Sequence, residues 1–178
     1  MLNFFYVDTE YVDYLRAFDS RIPYLQYEDK DKFVCGIVMS VDGCDYFAPI
    51  SSKTHKQQTC IMIRDKDGTD LSSIKFNYMF PAPEAVVTRV DIGDIRKSDP
   101  SYANLLQKEY EFCKANESSI LAKAQKVYAI GCKPGHFLNS SCCDFKLLEE
   151  KSKAYFITIT DEAFADYEEK HANDNCDE

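Results

Sequence analysis

The sequence predicts an α+β domain, with an antiparallel β-core in its first half and helices in its second half. Two turn signals predict the β-core. Asp42-Gly43 joins two apolar runs and is a strong hairpin signal, and residues 65–68 (Asp-Lys-Asp-Gly) join two further strand-like runs. The helical half is indicated by Ser98-Asp99-Pro100, a cap followed by proline, after which apolar residues recur at helical spacing.

The N-terminal segment predicts a strand followed by an amphipathic helix. Residues 3–7 form a short apolar run, and Asp8 with Thr9 offers an N-cap. The apolar side chains of this helix fall on one stripe: Tyr11, Tyr14, Leu15 and Phe18. We interpret the stripe as part of the core rather than as a surface for stacking bases, and we expect the helix to end by residues 21–23.

Five further strands are predicted from apolar and alternating runs. They cover residues 33–39, 44–48, 59–64, 74–80 and 85–90. Antiparallel pairing would return Tyr27 and Lys32 to the end of the sheet that carries the segment after Ala48. The turn acids Asp65, Asp67 and Asp70 lack the closing glutamate of a calcium loop, so we predict a turn there rather than a metal site.

Three helices are predicted in the second half. The first follows Pro100, the second covers residues 116–127 and ends at the break around residues 131–135, and the third covers residues 143–151 with Asp144 as its cap. Lysines are scattered through this half together with His136. We interpret them as ordinary solvated surface, with contact to RNA phosphates as the alternative.

The net charge of −9 over 178 residues argues at first against a nucleic-acid partner. However, residues 161–178 alone carry −7, so the remaining body carries only −2 and has room for a basic face. We predict one domain over residues 1–160 and an acidic tail over residues 161–178. The tail is interpreted as a solubilising terminus.

Cysteine usage and the N-terminus predict a cytoplasmic protein with reduced thiols. The eight cysteines include no C-x-x-C pair and match no zinc spacing. Cys35, Cys44 and Cys60 lie in apolar strand-like runs, where cysteine usually acts as a small buried hydrophobe. The N-terminus lacks a signal-peptide pattern, and no apolar run is long enough to cross a membrane.

The candidate site is the segment from Ala48 to Lys56, which connects two strands and contains few apolar residues. It holds three hydroxyls, two lysines and a histidine, namely Ser51, Ser52, Lys53, Thr54, His55 and Lys56. This set suits cleavage of RNA by its own 2′-OH, which needs a base, an acid and positive charge against the developing phosphorane, and none of these roles requires a metal. The alternative is a solvated loop with turn hydroxyls.

Five motifs follow one another in a fixed order and spacing. They are Phe5-Tyr6 with Tyr11, Tyr14-Leu15, Phe18-Asp19 and Pro23; Gly36-Ile37-Val38; residues 46–52; residues 77–81; and residues 145–151. Together they resemble the ToxN/AbiQ family, the endoribonuclease toxins of type III toxin–antitoxin systems. The resemblance covers nearly the whole chain up to the last motif and leaves the acidic tail outside.

The resemblance implies a compact antiparallel β-core akin to the Kid/MazF toxin barrel, elaborated by several helices. It implies metal-independent RNA cleavage, typically at A-rich sites, that leaves a 2′,3′-cyclic phosphate and requires no cofactor. It also implies an antitoxin RNA, made as repeats, cut by the toxin and held as a pseudoknot in a closed toxin–RNA hetero-oligomer. The substrates would be cellular or phage RNA, and such systems often confer abortive infection.

The family's loop has a hydroxyl, Ser, Pro and Lys after a proline–aliphatic pair. Ser51 and Ser52 fit the hydroxyls, but no proline follows and Lys53 comes one position early. By the resemblance we assign Lys53 as the catalytic lysine, with Lys56 as the alternative. Thr54 stands where an ungapped alignment expects the lysine, and it could inherit that position without the positive charge.

The remaining roles follow from chemistry and resemblance together. Ser52 would contact a phosphate oxygen with Ser51 as support, and His55 is a second acid/base candidate. Tyr27 and Lys32 resemble an upstream tyrosine and lysine that line the family's site.

Two other functions remain open at this point. A non-catalytic RNA-binding or translational-control domain would suit a basic surface with exposed aromatic residues equally well. A hydrolase with Ser52 as nucleophile and Lys53 as base is disfavoured, because adjacent residues on an extended chain point apart and no nucleophile elbow is present.

Overall fold

The computed structural model describes residues 2–27, 30–31 and 33–155 and confirms the α+β architecture, with an antiparallel core and five helices. In chain order the elements are β1 (Asn3–Val7), α1 (Thr9–Phe18), β2 (Gln26–Tyr27), β3 (Lys30–Asp31), β4 (Val34–Val41), β5 (Cys44–Ser51), β6 (Cys60–Arg64), β7 (Asp70–Lys75), β8 (Phe80–Pro81), β9 (Val87–Arg89), α2 (Ile92–Ser98), α3 (Pro100–Ala115) and α4 (Glu117–Gly131). A fifth helix, α5, covers residues 145–155.

The main sheet has the strand order β6-β7-β5-β4-β1-β9, and β8 also pairs with β5. Strand β5 is its central element, because β4 pairs with one edge of β5 while β8 and then β7 pair with the other. The hairpin between β4 and β5 turns at Asp42 and Gly43, which have φ angles of 50° and 80°. Both angles are positive, as the tight turn predicted from this dipeptide requires.

Helix α1 is joined to α5 through a buried carboxylate at its C-terminal end. The helix begins at the predicted cap, where Asp8 accepts a hydrogen bond from Glu10 N. Asp19 follows its last residue and accepts hydrogen bonds from the guanidinium of Arg21 and, at 2.7 Å, from Asp144 N. Burial alone would raise the pKa of Asp19, but these hydrogen bonds outweigh it and lower the pKa. The carboxylate therefore stays charged and connects the two helices.

The caps predicted in the second half are present. Asp99 accepts a hydrogen bond from Tyr102 N at the start of α3, and Asp144 accepts one from Leu147 N at the start of α5. The short helix α2 is an addition that the sequence analysis lacks. It is capped by Asp91, whose side chain accepts from Gly93 N and Asp94 N.

The strand predicted over residues 74–80 is wrong in its extent. Strand β7 ends at Lys75, a single 3₁₀ turn covers Phe76–Tyr78, and β8 contains only Phe80–Pro81. The reason is that Asn77 is occupied elsewhere: its amide donates to Ser141 O, and its backbone carbonyl accepts from Cys143 N at 2.8 Å. The strand predicted over residues 85–90 is likewise shortened to Val87–Arg89 by a 3₁₀ turn at Glu84–Val86.

The turn after β6 uses its acids within the chain. Asp65 accepts hydrogen bonds from the backbone of Asp67 and Thr69, and Asp70 pairs with Arg64 at 2.6 Å. Within the described ranges, no three side chains of His, Cys, Asp or Glu are grouped to hold a metal ion.

None of the helices within the described residues is both long enough and apolar enough to cross a bilayer.

A carboxylate in the core connects β5, α4 and α5. Glu149 is 5% exposed, and its Oε1 accepts from the hydroxyls of Tyr46 at 2.8 Å and Tyr128 at 2.6 Å. Its Oε2 accepts from Lys146 Nζ at 3.0 Å. Burial by itself raises the pKa of Glu149, but the hydrogen bonds from these three partners outweigh it and lower the pKa. The charged form is therefore favoured by folding.

We predict that Glu149→Gln destabilises the fold by about 2 kcal/mol at neutral pH, because hydrogen bonds to a charged acceptor are lost. A lowered folded-state pKa stabilises the protein above the ordinary value of 4.5, and this contribution is lost as the pH falls through the folded value. The difference between the two proteins should therefore shrink in acid, as measured by urea unfolding from pH 7 to pH 3. The control is Glu150→Gln, an exposed neighbour on α5; an equal loss there would contradict the assignment.

Candidate active site

A cavity of about 440 Å³ lies where β5 ends and the Ala48–Lys56 segment begins. The lining residues come from three parts of the chain, and they are Pro23, Tyr24, Leu25, Pro49, Ile50, Ser51, Lys53, His55, Gln57, Lys75 and Tyr78. This volume lies within the ~300–1,000 Å³ range of small-ligand pockets. The cavity therefore brings the predicted loop together with the end of β7 and the segment after α1.

The loop presents alternate residues to the cavity. Ser51, Lys53, His55 and Gln57 are lining residues, while the intervening Ser52, Thr54 and Lys56 are exposed and lie outside the lining. Of the two candidate lysines, Lys53 is therefore a lining residue of the cavity and Lys56 is not.

Side chains of β7 hold the backbone of this loop. Ser73 Oγ donates to Lys53 O at 2.8 Å, and Lys75 Nζ donates to His55 O at 3.4 Å. Both residues are buried, with exposed fractions of 0% and 7%, and they lie on the same face of β7 because they are two positions apart. Two buried donors on a rigid strand therefore fix two carbonyl groups of an otherwise exposed segment.

The end of the loop is held by Cys60. Gln57 N donates to Cys60 Sγ at 3.2 Å, and the thiol lies 3.3 Å from Gln57 O and 3.6 Å from His55 O, where its single hydrogen can be donated. At the start of the loop, Lys53 N donates to Ser51 Oγ at 3.2 Å. The backbone of the segment is thus constrained at both ends, while the residues from Ser52 to Gln57 stay exposed.

Among the described residues, Ser52, Thr54 and Lys56 are not part of this lining. Tyr27 is on β2, whose backbone pairs with Lys30 on β3, and Lys32 lies outside the described residues. Of the predicted site residues that the structure describes, the cavity brings together Ser51, Lys53 and His55.

The sequence analysis missed Lys75 and Tyr24. A lysine inside the apolar run of residues 74–80 was a signal, since lysine is almost never fully buried unless it has a partner. Tyr24 gave no signal of its own, because it stands in a polar stretch between Pro23 and the charged residues that follow.

The charge of the cavity contrasts with that of the chain. Its lining contains two lysines and one histidine, and none of the described residues that line it is acidic. A single imidazole without carboxylates does not form a ligand set typical of Mg²⁺ or Ca²⁺. The arrangement can instead bind an anionic group and donate hydrogen bonds to its oxygens.

We predict that Ser73→Ala loosens the loop, because Lys53 O loses its 2.8 Å hydrogen bond at a cost of about 1 kcal/mol. Amide hydrogen exchange over residues 53–57 should become several-fold faster, while the β4–β5 hairpin is unaffected. The matched control is Ser72→Ala, the adjacent serine whose side chain points to the other face of β7. Equal exchange in Ser73→Ala and the unmodified protein would contradict this anchoring.

Comparison with known proteins places the chain and its fold in a family. A family model described as toxin ToxN of a type III toxin–antitoxin system matches residues 3–153. The endoribonuclease ToxN of Bacillus thuringiensis subsp. kurstaki is 36% identical over 162 residues, which covers 86% of this chain and 84% of the relative.

Two solved structures are similar over most of their length. One, of a type III toxin inhibited by a non-coding RNA pseudoknot, has a TM-score of 0.82 and 36% identity and covers 86% of this chain and 97% of its own. The other, of the lactococcal anti-phage endoribonuclease AbiQ, has a TM-score of 0.76 and 26% identity, with coverages of 87% and 98%. The resemblance seen in the motifs is confirmed, and the chain belongs to the ToxN family of type III toxin–antitoxin toxins.

Proposed function

We propose that this chain is an endoribonuclease toxin that cleaves RNA without a metal ion and leaves a 2′,3′-cyclic phosphate. The observation that carries the proposal is the cationic cavity in an acidic protein: Lys53, His55 and Lys75 converge there without a carboxylate among the described lining residues. Positive charge and hydrogen-bond donors are what a pentacoordinate phosphorane requires. The relatives named as endoribonucleases support the same activity.

The reaction would use the nucleophile that the RNA itself carries. A base removes the proton of the 2′-OH, the 2′-oxygen forms a bond to phosphorus, and the bond from phosphorus to the 5′-oxygen breaks as that oxygen receives a proton. Lys53 would stabilise the negative charge that develops on the phosphoryl oxygens. His55, on the same side of the loop, is the second candidate for proton transfer.

The geometry bears on the roles of the two serines. By sequence, Ser52 contacts a phosphate oxygen and Ser51 supports it. Because Ser51 lines the cavity and Ser52 lies outside the lining, we favour the reverse order. Thr54 and Lys56, on the outer side of the loop, would contact the RNA backbone away from the cleaved bond, and Tyr27 and Lys32 remain proposed RNA-binding residues.

The partner of this toxin would be a small structured RNA. A relative of 36% identity is selectively inhibited by a non-coding RNA pseudoknot, and this supports a repeat-derived pseudoknot antitoxin for the present chain. We further propose that the RNA is processed by the toxin and retained in a closed toxin–RNA hetero-oligomer. Preference for A-rich sites in cellular or phage RNA, and a role in abortive infection, belong to the same proposal.

The proposed setting is the cytoplasm, where such RNA substrates occur and where thiols stay reduced. The seven cysteines within the described ranges are all free. We retain residues 1–160 as the catalytic domain and residues 161–178 as an acidic tail, which lies outside the described residues.

We predict that RNA-free protein cleaves A-rich RNA in EDTA and that Lys53→Ala lowers kcat by about a hundredfold to a thousandfold, as the loss of one transition-state donor does. The matched control is Lys56→Ala, which removes the same charge from the outer side of the loop and should stay within a few-fold. Mass spectrometry of the products should show the cyclic phosphate.

Full activity in Lys53→Ala would overturn its assignment. Binding without cleavage by the unmodified protein would favour the RNA-binding domain. Cleavage abolished by EDTA would disprove the metal-independent mechanism.

A further inference from the structure

Tyr24 is an exposed aromatic residue at the edge of the candidate active site. Its exposed fraction is 62%, although an aromatic side chain gains most by burial, and it lines the same cavity as Lys53 and His55. None of the roles assigned above uses it. An exposed ring beside a phosphate-binding cavity calls for a ligand with an aromatic face.

The segment that carries Tyr24 is held rigidly. Ile22 and Leu25 are buried, with exposed fractions of 0% and 6%, and Pro23 between them fixes the backbone φ angle. Two buried anchors on either side of Tyr24 therefore present its ring to the outside. A rigid presentation lowers the entropy that a ligand must offset on binding.

One face of the ring is already supported. The Arg16 guanidinium carbon lies 3.4 Å from the ring centroid of Tyr24, and Arg16 also donates a hydrogen bond to Ile22 O. This contact fixes the ring's orientation. Because Tyr24 is still 62% exposed with Arg16 against it, most of the remaining accessible surface belongs to the other face and the edge.

We propose that Tyr24 is the stacking platform for a nucleobase next to the cleaved phosphate, with Arg16 as the residue that positions its ring. This inference rests on the proposed ribonuclease function. Single-stranded RNA exposes its bases, and bases stack on aromatic side chains and on guanidinium planes. The RNA base would stack on the Tyr24 ring, which in turn lies against the Arg16 guanidinium. The phosphate next to this base would then lie over the lysines of the cavity.

The test compares cleavage of a short single-stranded RNA by the unmodified protein, Tyr24→Ala and Tyr24→Phe. Loss of one stacked base lowers kcat/KM by about tenfold to a hundredfold, so Tyr24→Ala should show this loss. Tyr24→Phe keeps the ring and should restore activity to near the unmodified level. Thermal unfolding should be unchanged in both variants, since the ring is exposed.

A substrate that lacks the base on one side of the cleaved bond separates stacking from a general structural effect. With this abasic RNA the unmodified protein should lose about as much as Tyr24→Ala loses on intact RNA, and Tyr24→Ala should lose nothing further. Arg16→Gln made alone should weaken cleavage, whereas Arg16→Gln added to Tyr24→Ala should cause no further loss. The proposal is overturned if the loss from Tyr24→Ala and the loss from the abasic substrate multiply, whichever side of the cleaved bond lacks its base.

The proposed ribonuclease function and the Tyr24 stacking platform are disproved by different results. If the unmodified protein cleaves no RNA, the proposed function fails and the platform with it. If the unmodified protein and Tyr24→Ala cleave equally well, only the platform is disproved, and the catalytic roles of Lys53 and Ser51 are untouched.

Discussion

The candidate site depends on a carboxylate that lies outside it. Glu149 accepts hydrogen bonds from Tyr46 on β5 and Tyr128 on α4 with a single oxygen atom, and its other oxygen accepts from Lys146. These contacts hold β5 against two helices, and the same strand continues to Ser51, where the cavity begins. A buried charge left without these donors would cost several kcal/mol. The position of the loop is therefore set by an interaction in the core.

In the loop that follows β5, the backbone is bound by β7 while part of the loop lines the cavity. Its backbone carbonyls at Lys53 and His55 are bound by Ser73 and Lys75 of β7, while alternate residues line the cavity. Loops with few apolar residues usually lack such support, because they have little to bury. Here the support comes from buried hydrogen-bond donors rather than from apolar packing. The residues of the loop that line the cavity can thus be held in place without being covered.

The sequence predicted most where the determining chemistry is local. The turn at Asp42-Gly43 and the caps at Asp8, Asp99 and Asp144 each require only neighbouring residues, and all are present. The 3₁₀ turn around Asn77 was not predicted, because its partners Ser141 and Cys143 are more than 60 positions away. The same contrast between local and distant determinants holds for the site. Its loop could be predicted from the local composition of the sequence, whereas Lys75 and Tyr24 reach the cavity only through tertiary folding.

In the loop, every second residue from Ser51 to Gln57 lines the cavity, and this pattern limits how the length of the loop can change in evolution. If the pattern of every second residue is kept, inserting or deleting one residue after Ser51 would exchange the residues that line the cavity with those that do not. Changes of two residues would keep each set on its side. A homologous loop that differs by one residue would therefore either carry its lining lysine at a different position or absorb the extra residue in a bulge.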